Sequence, residues 1–173
     1  MQLYTIGHGT ADESLFTARL AAAGIARVVD VRRFPGSRRW PWFAAAAMAE
    51  WLPRRGVAYV PATELGGRRS PAPDSPNVVL REPAFRGYAD YMATASFADA
   101  FERLLVEAAA APTAVMCSET LWWRCHRRLI ADSAVLLAGV DIVHLVGAAR
   151  QAHRLTEGAR LGDGHVVYDR RSG

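Results

Sequence analysis

The segment TAVMCSETLWWRCHRRLIADSAVLL, residues 113–137, joins an apolar strand to a helix through a polar loop and so indicates the fold class. Its first residues are apolar and partly β-branched, which predicts a buried strand over 113–116 that ends at Cys117. Apolar residues then recur three and four apart, which predicts a helix over 122–137 that Gly139 terminates. A strand followed by a helix on the next stretch of chain is the unit of an α/β fold.

The same alternation extends through the rest of the chain. Apolar and alternating runs predict strands at 2–6, 26–31, 57–60, 140–145 and 165–168. Helical spacing predicts helices at 11–23, 43–54, 85–95 and 96–110. We therefore expect one α/β domain over residues 1–173, a three-layer sandwich in which helices cover a mostly parallel sheet.

One long stretch, residues 66–83, fits neither a helix nor a strand. Two glycines and four prolines interrupt it, so it predicts an irregular loop. Loops of this length are often lids or binding loops, although an ordinary surface excursion fits the composition equally well.

Composition excludes several classes of protein. The 21 basic residues are all arginine, which excludes a lysine Schiff base and a lysine-containing phosphate loop. A GC-rich genome also accounts for the missing lysine, and the net charge of +4 is modest. Two cysteines are too few for a disulfide framework, and no apolar run reaches membrane-spanning length. These features predict a cytoplasmic protein that does not enter a membrane.

Polar or thiol side chains follow the predicted strands. Parallel sheets bind ligands beyond the carboxyl ends of their strands, so the residues at those ends form the predicted site. They are His8, Asp30, Arg32, Cys117, Glu119 and His144. Cys125 and His126 lie on the apolar stripe of the predicted helix, and we expect them to face inward beside this edge.

The two cysteines are expected to differ. Cys117 ends a strand beside a helix start and several arginines, which favours a reactive thiolate with Glu119 as a nearby acid or base. Cys125 is expected to serve mainly in packing. Arginine side chains bind anions, so we also expect an anion-binding site near Trp122 that is formed by four arginines. They are Arg32, Arg38, Arg39 and Arg127.

These motifs, taken together, resemble the domain of unknown function 488 family over nearly the whole chain. The shared residues include TIGH at 5–8, VDVR at 29–32, LGG at 65–67, FRGY at 85–88, MCSE at 116–119 and WRCHR at 123–127. The resemblance implies an α/β fold and a residue set, without a settled activity. A looser layout similarity to rhodanese-like proteins fails in detail, because Glu119 would repel an oxyanion in the cysteine loop.

Four functions remain open at this point. The first is an enzyme for a small anionic or nucleotide-like substrate, with Cys117, Glu119 and His126 as catalytic residues. Its substrate-binding set would be His8, Asp30, Arg32, Ser37, Arg38, Arg39, Tyr88, Arg124, Arg127 and His144. The second is a zinc or iron site drawn from Cys117, Cys125 and His126, with His8 considered as a further ligand. It ranks lower because adjacent residues of a helix cannot easily bind one ion.

The third function is a nucleic-acid module that uses arginines and the tryptophans Trp40 and Trp42 for stacking. The fourth is a structural or regulatory protein without catalysis. Neither the cofactor nor the oligomeric state follows from the sequence.

Overall fold

The computed structural model describes residues 1–170 and contains a six-stranded sheet in the order β3-β2-β4-β1-β5-β6. The first five strands in that order are parallel, and β6 runs antiparallel to β5. The strands are β1 (Gln2–Gly7), β2 (Arg27–Asp30), β3 (Ala58–Pro61), β4 (Thr113–Cys117), β5 (Asp141–Val146) and β6 (Ala149–Ala152). A separate antiparallel pair consists of β7 (Ala159–Leu161) and β8 (Val166–Tyr168).

Helices cover both faces of the sheet, which confirms the three-layer α/β architecture. They are α1 (Glu13–Ala22), α2 (Ala45–Arg54), α3 (Pro83–Met92), α4 (Ala95–Ala110) and α5 (Arg127–Ala138). Neighbouring strand residues alternate between two apolar clusters, as the two-residue period of a strand requires. Val29 and Val115 pack with α3, α4 and α5, whereas Val28 and Ala114 pack with α1 and α2.

The start of α5 differs from the sequence-based prediction. Trp122–Arg124 forms a single 3-10 turn, and Cys125 then adopts an extended conformation with φ −129° and ψ 150°. The α-helix begins only at Arg127, with His126 as its N-cap residue. The predicted helix over 122–137 is therefore wrong in its first five residues, and Cys125 and His126 do not lie on a helix face.

The strand ends lie where the sequence predicted, with one exception. Because β1, β2, β4 and β5 are parallel, their carboxyl ends share one edge of the sheet, and His8, Arg32 and Cys117 lie at it. His144 instead lies inside β5, paired in register with Thr5 and fully buried. The loop over residues 66–82 contains no helix or strand, as predicted, and α3 begins at Pro83.

Among the helices of residues 1–170, none has both the length and the apolar character needed to cross a membrane.

Candidate functional site

Three potential metal ligands lie together at the carboxyl edge of the sheet. The thiol sulfurs of Cys117 and Cys125 and a ring nitrogen of His126 all lie within 4.8 Å of one another. The Cys125 Sγ and His126 Nδ1 atoms are 3.6 Å apart. Ligands of a tetrahedral zinc stand about 3.5–3.8 Å apart, given Zn–S of about 2.3 Å and Zn–N of about 2.0–2.1 Å. The break before α5 creates this cluster, because it frees two adjacent side chains to face one point.

A hydrogen bond to the backbone of Val31 fixes the orientation of the His126 ring. Its Nε2 lies 3.1 Å from the carbonyl oxygen of Val31, so Nε2 carries the proton and donates it to that acceptor. A neutral ring then has its lone pair on Nδ1, the nitrogen that faces the two sulfurs. Metal-binding histidines usually hold their second nitrogen in this way. Tyr88 packs against the ring with centroids 5.1 Å apart, and its hydroxyl donates to the carbonyl oxygen of Leu65.

Gly67 approaches the same ring closely. A Cβ atom at this position would lie 2.9 Å from His126 Nδ1, which is closer than real Cβ contacts. The absence of a side chain at Gly67 therefore keeps the space beside Nδ1 open.

Arg127 is fully buried directly below the cluster. Its Nε donates to Cys125 Sγ at 3.3 Å, and its Nη2 donates to the carbonyl oxygen of Glu119. Arg127 forms no ion pair with a carboxylate within residues 1–170. A buried guanidinium needs a compensating charge, and the Cys125 sulfur is placed to supply it as a thiolate.

The two thiols differ in the direction opposite to the sequence-based prediction. Burial raises the pKa of Cys125, but the hydrogen bond from Cys117 and the charge of Arg127 outweigh it and lower the pKa to about 6. The hydrogen bond to Cys125, together with burial, raises the pKa of Cys117 to about 12. Cys125, which lies beside Arg127, is thus the more acidic thiol of the pair. Both side chains are buried, with 8% of Cys117 and 4% of Cys125 exposed.

Glu119 lies in the loop between β4 and the 3-10 turn. One carboxylate oxygen accepts the backbone N–H of Leu121 at 3.1 Å, which orients the side chain beside the cluster. Its backbone passes so close to β1 that a Cβ atom on Gly7 would lie 1.9 Å from the Glu119 carbonyl oxygen. Gly7 and Arg127 therefore hold this loop in place from two sides.

A second polar group surrounds Arg32 at the ends of β1 and β2. Asp30 accepts hydrogen bonds from Arg32 Nε at 2.8 Å and from Arg32 Nη2 at 2.6 Å. Its oxygens also accept the Arg32 backbone N–H and the Tyr59 hydroxyl. Four hydrogen bonds occupy the acceptor sites of the carboxylate, so Asp30 positions Arg32 and has no site left for a ligand.

Two cavities flank the cluster. The larger, about 1010 Å³, is lined by Cys117, Glu119, Cys125 and His126, by aromatic rings and by five arginines. Those rings and arginines are Phe85, Trp122, Trp123, Arg68, Arg81, Arg124, Arg128 and Arg154. The smaller cavity, about 490 Å³, lies beside His8, Arg32 and Ser37 and shares Cys117, Glu119 and His126 with the larger one. Each cavity therefore reaches the cluster from its own side.

The structure does not bring together all of the residues that the sequence analysis assigned to a substrate. Arg124 lines the large cavity, and His8, Arg32 and Ser37 line the small one. Arg38 and Arg39 are exposed and line neither cavity, so the expected convergence with Arg32 and Arg127 does not occur. Tyr88 and His144 are fully buried, and their hydrogen bonds go to other parts of the protein.

The sequence analysis missed a buried polar network behind the cluster. Thr5 Oγ1 lies 2.6 Å from His144 Nδ1, and His144 Nε2 lies 2.9 Å from His153 Nδ1. His153 Nε2 lies 2.8 Å from the Asp132 carboxylate, which also accepts the Tyr168 hydroxyl. Burial lowers the pKa of His144 to about 3, with His153 and Arg127 acting in the same direction. The only signal in the sequence was one aspartate beside the apolar stripe of α5.

The fold and the site define an α/β protein with a cysteine–cysteine–histidine cluster at the ligand-binding edge of its sheet. The chain belongs to the family described as Domain of unknown function DUF488, whose sequence model matches residues 12–134. That range contains the whole cluster and excludes His8, His144 and His153. Neither the curated proteins nor the solved structures contain a match to this chain.

Proposed function

We propose that Cys117, Cys125 and His126 bind a divalent metal ion, with zinc as the preferred ion, and that the protein is a metal-dependent enzyme. The observation that supports this most directly is the convergence of three ligand atoms within 4.8 Å, with the His126 ring fixed by Val31. Adjacent residues of a helix cannot easily bind one ion, but Cys125 is extended and His126 is the N-cap residue of α5. Their side chains can therefore face the same point.

The donor set favours a catalytic site over a structural one. Structural zinc sites are usually closed by four protein ligands, whereas catalytic sites have three and leave one position open. His8, considered as a fourth ligand on sequence grounds, lies outside the cluster, and its Nδ1 is 2.9 Å from the Gly9 carbonyl oxygen. Two thiolates and an imidazole suit zinc or iron, and Cys117 and His126 line both cavities.

Glu119 is the acid–base group of the proposed reaction. It lines both cavities, and its Oε1 is the oxygen that accepts the Leu121 amide. A zinc ion held by Cys117, Cys125 and His126 would supply a Lewis acid that activates a water molecule. Glu119 would then accept a proton from the reacting water and return it to a leaving group.

The large cavity suits a small anionic substrate with an apolar part. Its five arginines outnumber its three acidic residues, Glu82, Glu119 and Glu157. Arginine binds carboxylate or phosphate with paired hydrogen bonds, and Phe85, Trp122 and Trp123 offer flat surfaces. An enzyme that needs two reduced cysteines fits the cytoplasm, which is the compartment we propose.

A metal-free thiol enzyme is the second candidate, and the contact between Arg127 and Cys125 favours it. In that case Cys125, rather than Cys117, would be the nucleophile. Nucleic-acid binding stays a prediction without added support. Trp42 donates its indole N–H to the Ala11 carbonyl oxygen and so is held against the protein.

Metal binding separates the two candidates. The protein should be stripped with a chelator and titrated with Zn(II), and with Co(II) as a spectroscopic probe of thiolate ligation. We expect one ion per chain, and loss of stoichiometric binding in Cys117→Ser, Cys125→Ser and His126→Gln. His165→Gln is the matched control, since His165 lies outside the cluster. Unchanged metal content in the three variants would refute the metal site.

Glu119→Gln tests the enzymatic part of the proposal. This variant should still bind the ion, because Glu119 is not in the ligand cluster. It should lose turnover in a screen of small phosphate and carboxylate esters with which the wild type forms product. Full turnover in Glu119→Gln would remove Glu119 from the reaction.

A further inference from the structure

The smaller cavity has a built polar end that the proposed metal site does not use. His8 and Arg32 form this end, and they are only 3% and 7% exposed. We propose that this cavity is a subsite for a phosphate group that still bears a proton, held between His8 Nε2 and Arg32 Nη1. The subsite rests on its own residues. Only its use for a substrate of the enzyme rests on the proposed function.

His8 supplies a hydrogen-bond acceptor of fixed direction. Its Nδ1 lies 2.9 Å from the carbonyl oxygen of Gly9, which can only accept, so Nδ1 carries the ring proton. The Nε2 atom of the neutral ring is therefore an acceptor. Stacking on Phe43, with centroids 4.1 Å apart and planes 16° apart, prevents the ring from turning away.

Arg32 supplies a donor beside that acceptor. Asp30 takes the hydrogen bonds of Nε and Nη2, which leaves Nη1 as the free end of the guanidinium. Nη1 lies 3.4 Å from His8 Nε2, longer than the roughly 2.7–3.2 Å of an ordinary hydrogen bond. The hydrogen bond between Arg32 Nη1 and His8 Nε2 is thus weak, and an oxygen atom of a ligand could bond to both.

The charge of the cavity favours an anion. Its lining includes Arg32, Arg33 and Arg68 but only one acidic residue, Glu119. Arg68 adopts a left-handed backbone conformation with φ 59°, which is strained for a residue other than glycine. Arg33 Nη1 donates to the Arg68 carbonyl oxygen at 2.8 Å and holds this conformation. The strained residue forms part of the wall between the two cavities, since it lines both.

Hydroxyl groups add donors around the same space. Ser37 Oγ accepts the Trp40 backbone N–H at 3.1 Å, so its own proton can point to a ligand. Thr10, Ser118 and Thr120 also line the cavity. A tetrahedral group with several oxygens uses donors in many directions better than a planar carboxylate does.

The adjacent acceptor and donor select among tetrahedral anions. A hydrogenphosphate group donates its proton to His8 Nε2 and accepts from Arg32 Nη1. Sulfate has the same shape but has no proton near neutral pH, so its lone pairs would face the lone pair of His8. In the proposed enzyme, the phosphate of a phosphorylated substrate would occupy this cavity, and the rest would extend past Cys117 and His126 into the large cavity.

Calorimetric titration with inorganic phosphate and with sulfate, near pH 7 and at equal ionic strength, tests the subsite. We expect phosphate to bind at least about 10-fold more tightly than sulfate, which corresponds to about 1.4 kcal/mol. His8→Gln keeps an acceptor near the Nε2 position and should retain the preference. His8→Asn keeps only a group near Nδ1 and should lose it.

Cys125→Ser separates this subsite from the metal site. A phosphate preference that survives in Cys125→Ser and disappears in His8→Asn supports the subsite. Phosphate binding that disappears in Cys125→Ser and survives in His8→Asn would place the phosphate on the metal and overturn the subsite, while it supports the metal centre. Equal affinity for phosphate and sulfate would overturn it as well.

A spectroscopic measurement on the wild type covers the case in which the His8 variants do not fold. The ¹⁵N resonance of His8 Nε2 should move on addition of phosphate and stay in place on addition of sulfate. A resonance that responds to neither anion would overturn the proposal.

Discussion

The Arg127 side chain links the cysteine cluster to the loop around Glu119. It is 1% exposed, and it donates to Cys125 Sγ and to the Glu119 carbonyl oxygen. Sequence position alone could not distinguish it from Arg124 and Arg128 in the same run. The burial of one arginine among three depends on the turn at Cys125, which the sequence pattern does not show.

Replacement of Arg127 by methionine should weaken metal binding without removing a ligand. Loss of an outer-shell hydrogen bond typically lowers metal affinity by about 10–100-fold. The free energy of unfolding should also fall, by about 1–3 kcal/mol. Competition with a chromophoric chelator measures the affinity. Arg124→Met is the matched control, because Arg124 is exposed and belongs to the same segment. Equal affinities in the two variants would show that Arg127 does not support the site.

Gly67 tests whether the space beside His126 Nδ1 is functional. A methyl group there would lie 2.9 Å from Nδ1, so Gly67→Ala should displace the ring or the loop and reduce metal affinity at least about 10-fold, or 1.4 kcal/mol. Gly36→Ala is the control, since a Cβ at Gly36 meets no atom within 4 Å. Metal titration of both variants decides the point, and normal binding by Gly67→Ala would count against Nδ1 as the ligand atom.

Among the elements of residues 1–170, six of the eight strands were predicted from the sequence, whereas β6, β7 and the interrupted start of α5 were missed. Strands β1, β2 and β4 are short apolar runs that end at polar residues, and their predicted bounds agree with the structure within about one residue. The apolar stripe of α5, in contrast, continues back through Trp122 with helical spacing. No proline or glycine marks the extended residue Cys125, so periodicity could not reveal the interruption.

That interruption also explains why the site residues were found but their arrangement was not. Cys117, Cys125 and His126 are uncommon residue types at a strand end and a helix start, so composition singles them out. Their convergence depends on tertiary contacts of the 3-10 turn. Trp122 stacks on the buried ring of His144, with centroids 4.0 Å apart and planes 5° apart. No local signal in the sequence encodes a stacking partner 22 residues away.

Asp132 forms hydrogen bonds that link α5 to the segment from His153 to Tyr168. Its carboxylate accepts His153 Nε2, the Thr156 backbone N–H and the Tyr168 hydroxyl, and it is fully buried. Asp132→Ala should lower the free energy of unfolding by about 3–5 kcal/mol, because three donors lose their buried acceptor.

Asp132→Asn should cost less, about 1–2 kcal/mol, since its oxygen can still accept from two donors. Urea unfolding measures both changes, and Asp99→Ala on the exposed surface of α4 is the control, expected within about 0.5 kcal/mol of wild type. A loss below 1 kcal/mol in Asp132→Ala would mean that the network adds little to stability.

In the whole molecule, the candidate site residues lie at one edge of the sheet. The segment after β5 packs over the buried network around His144. The parallel strands bring Cys117, His8 and Arg32 together from three distant parts of the chain. Beyond α5, His153 contacts His144, and the hydroxyl of Tyr168 in β8 donates to Asp132, which also bonds to His153. This cover keeps His144 away from solvent, and the consequence appears in how stability depends on pH.

The stability of the whole protein should fall in acid because of His144. Burial lowers its pKa to about 3 in the folded protein, whereas an unfolded imidazole has a pKa of about 6.5. Below about pH 6.5, His144 is protonated in the unfolded chain but stays neutral in the folded protein. The free energy of unfolding therefore falls as the pH decreases toward 3. One such group changes the free energy of unfolding by up to about 1.4 kcal/mol per pH unit.

Urea unfolding at several pH values between about 7.5 and 4.5 measures this dependence. His144→Asn keeps a group near the Nδ1 position that can still bond to Thr5, but it cannot titrate. The slope of its stability against pH should therefore be smaller than that of the wild type, by about 1 kcal/mol per pH unit below pH 6. The comparison of slopes isolates His144 from the carboxylates, which titrate in both proteins. Parallel curves for the two proteins would show that His144 accepts its proton as easily in the folded state as in the unfolded chain, and that the C-terminal cover does not exclude water from it.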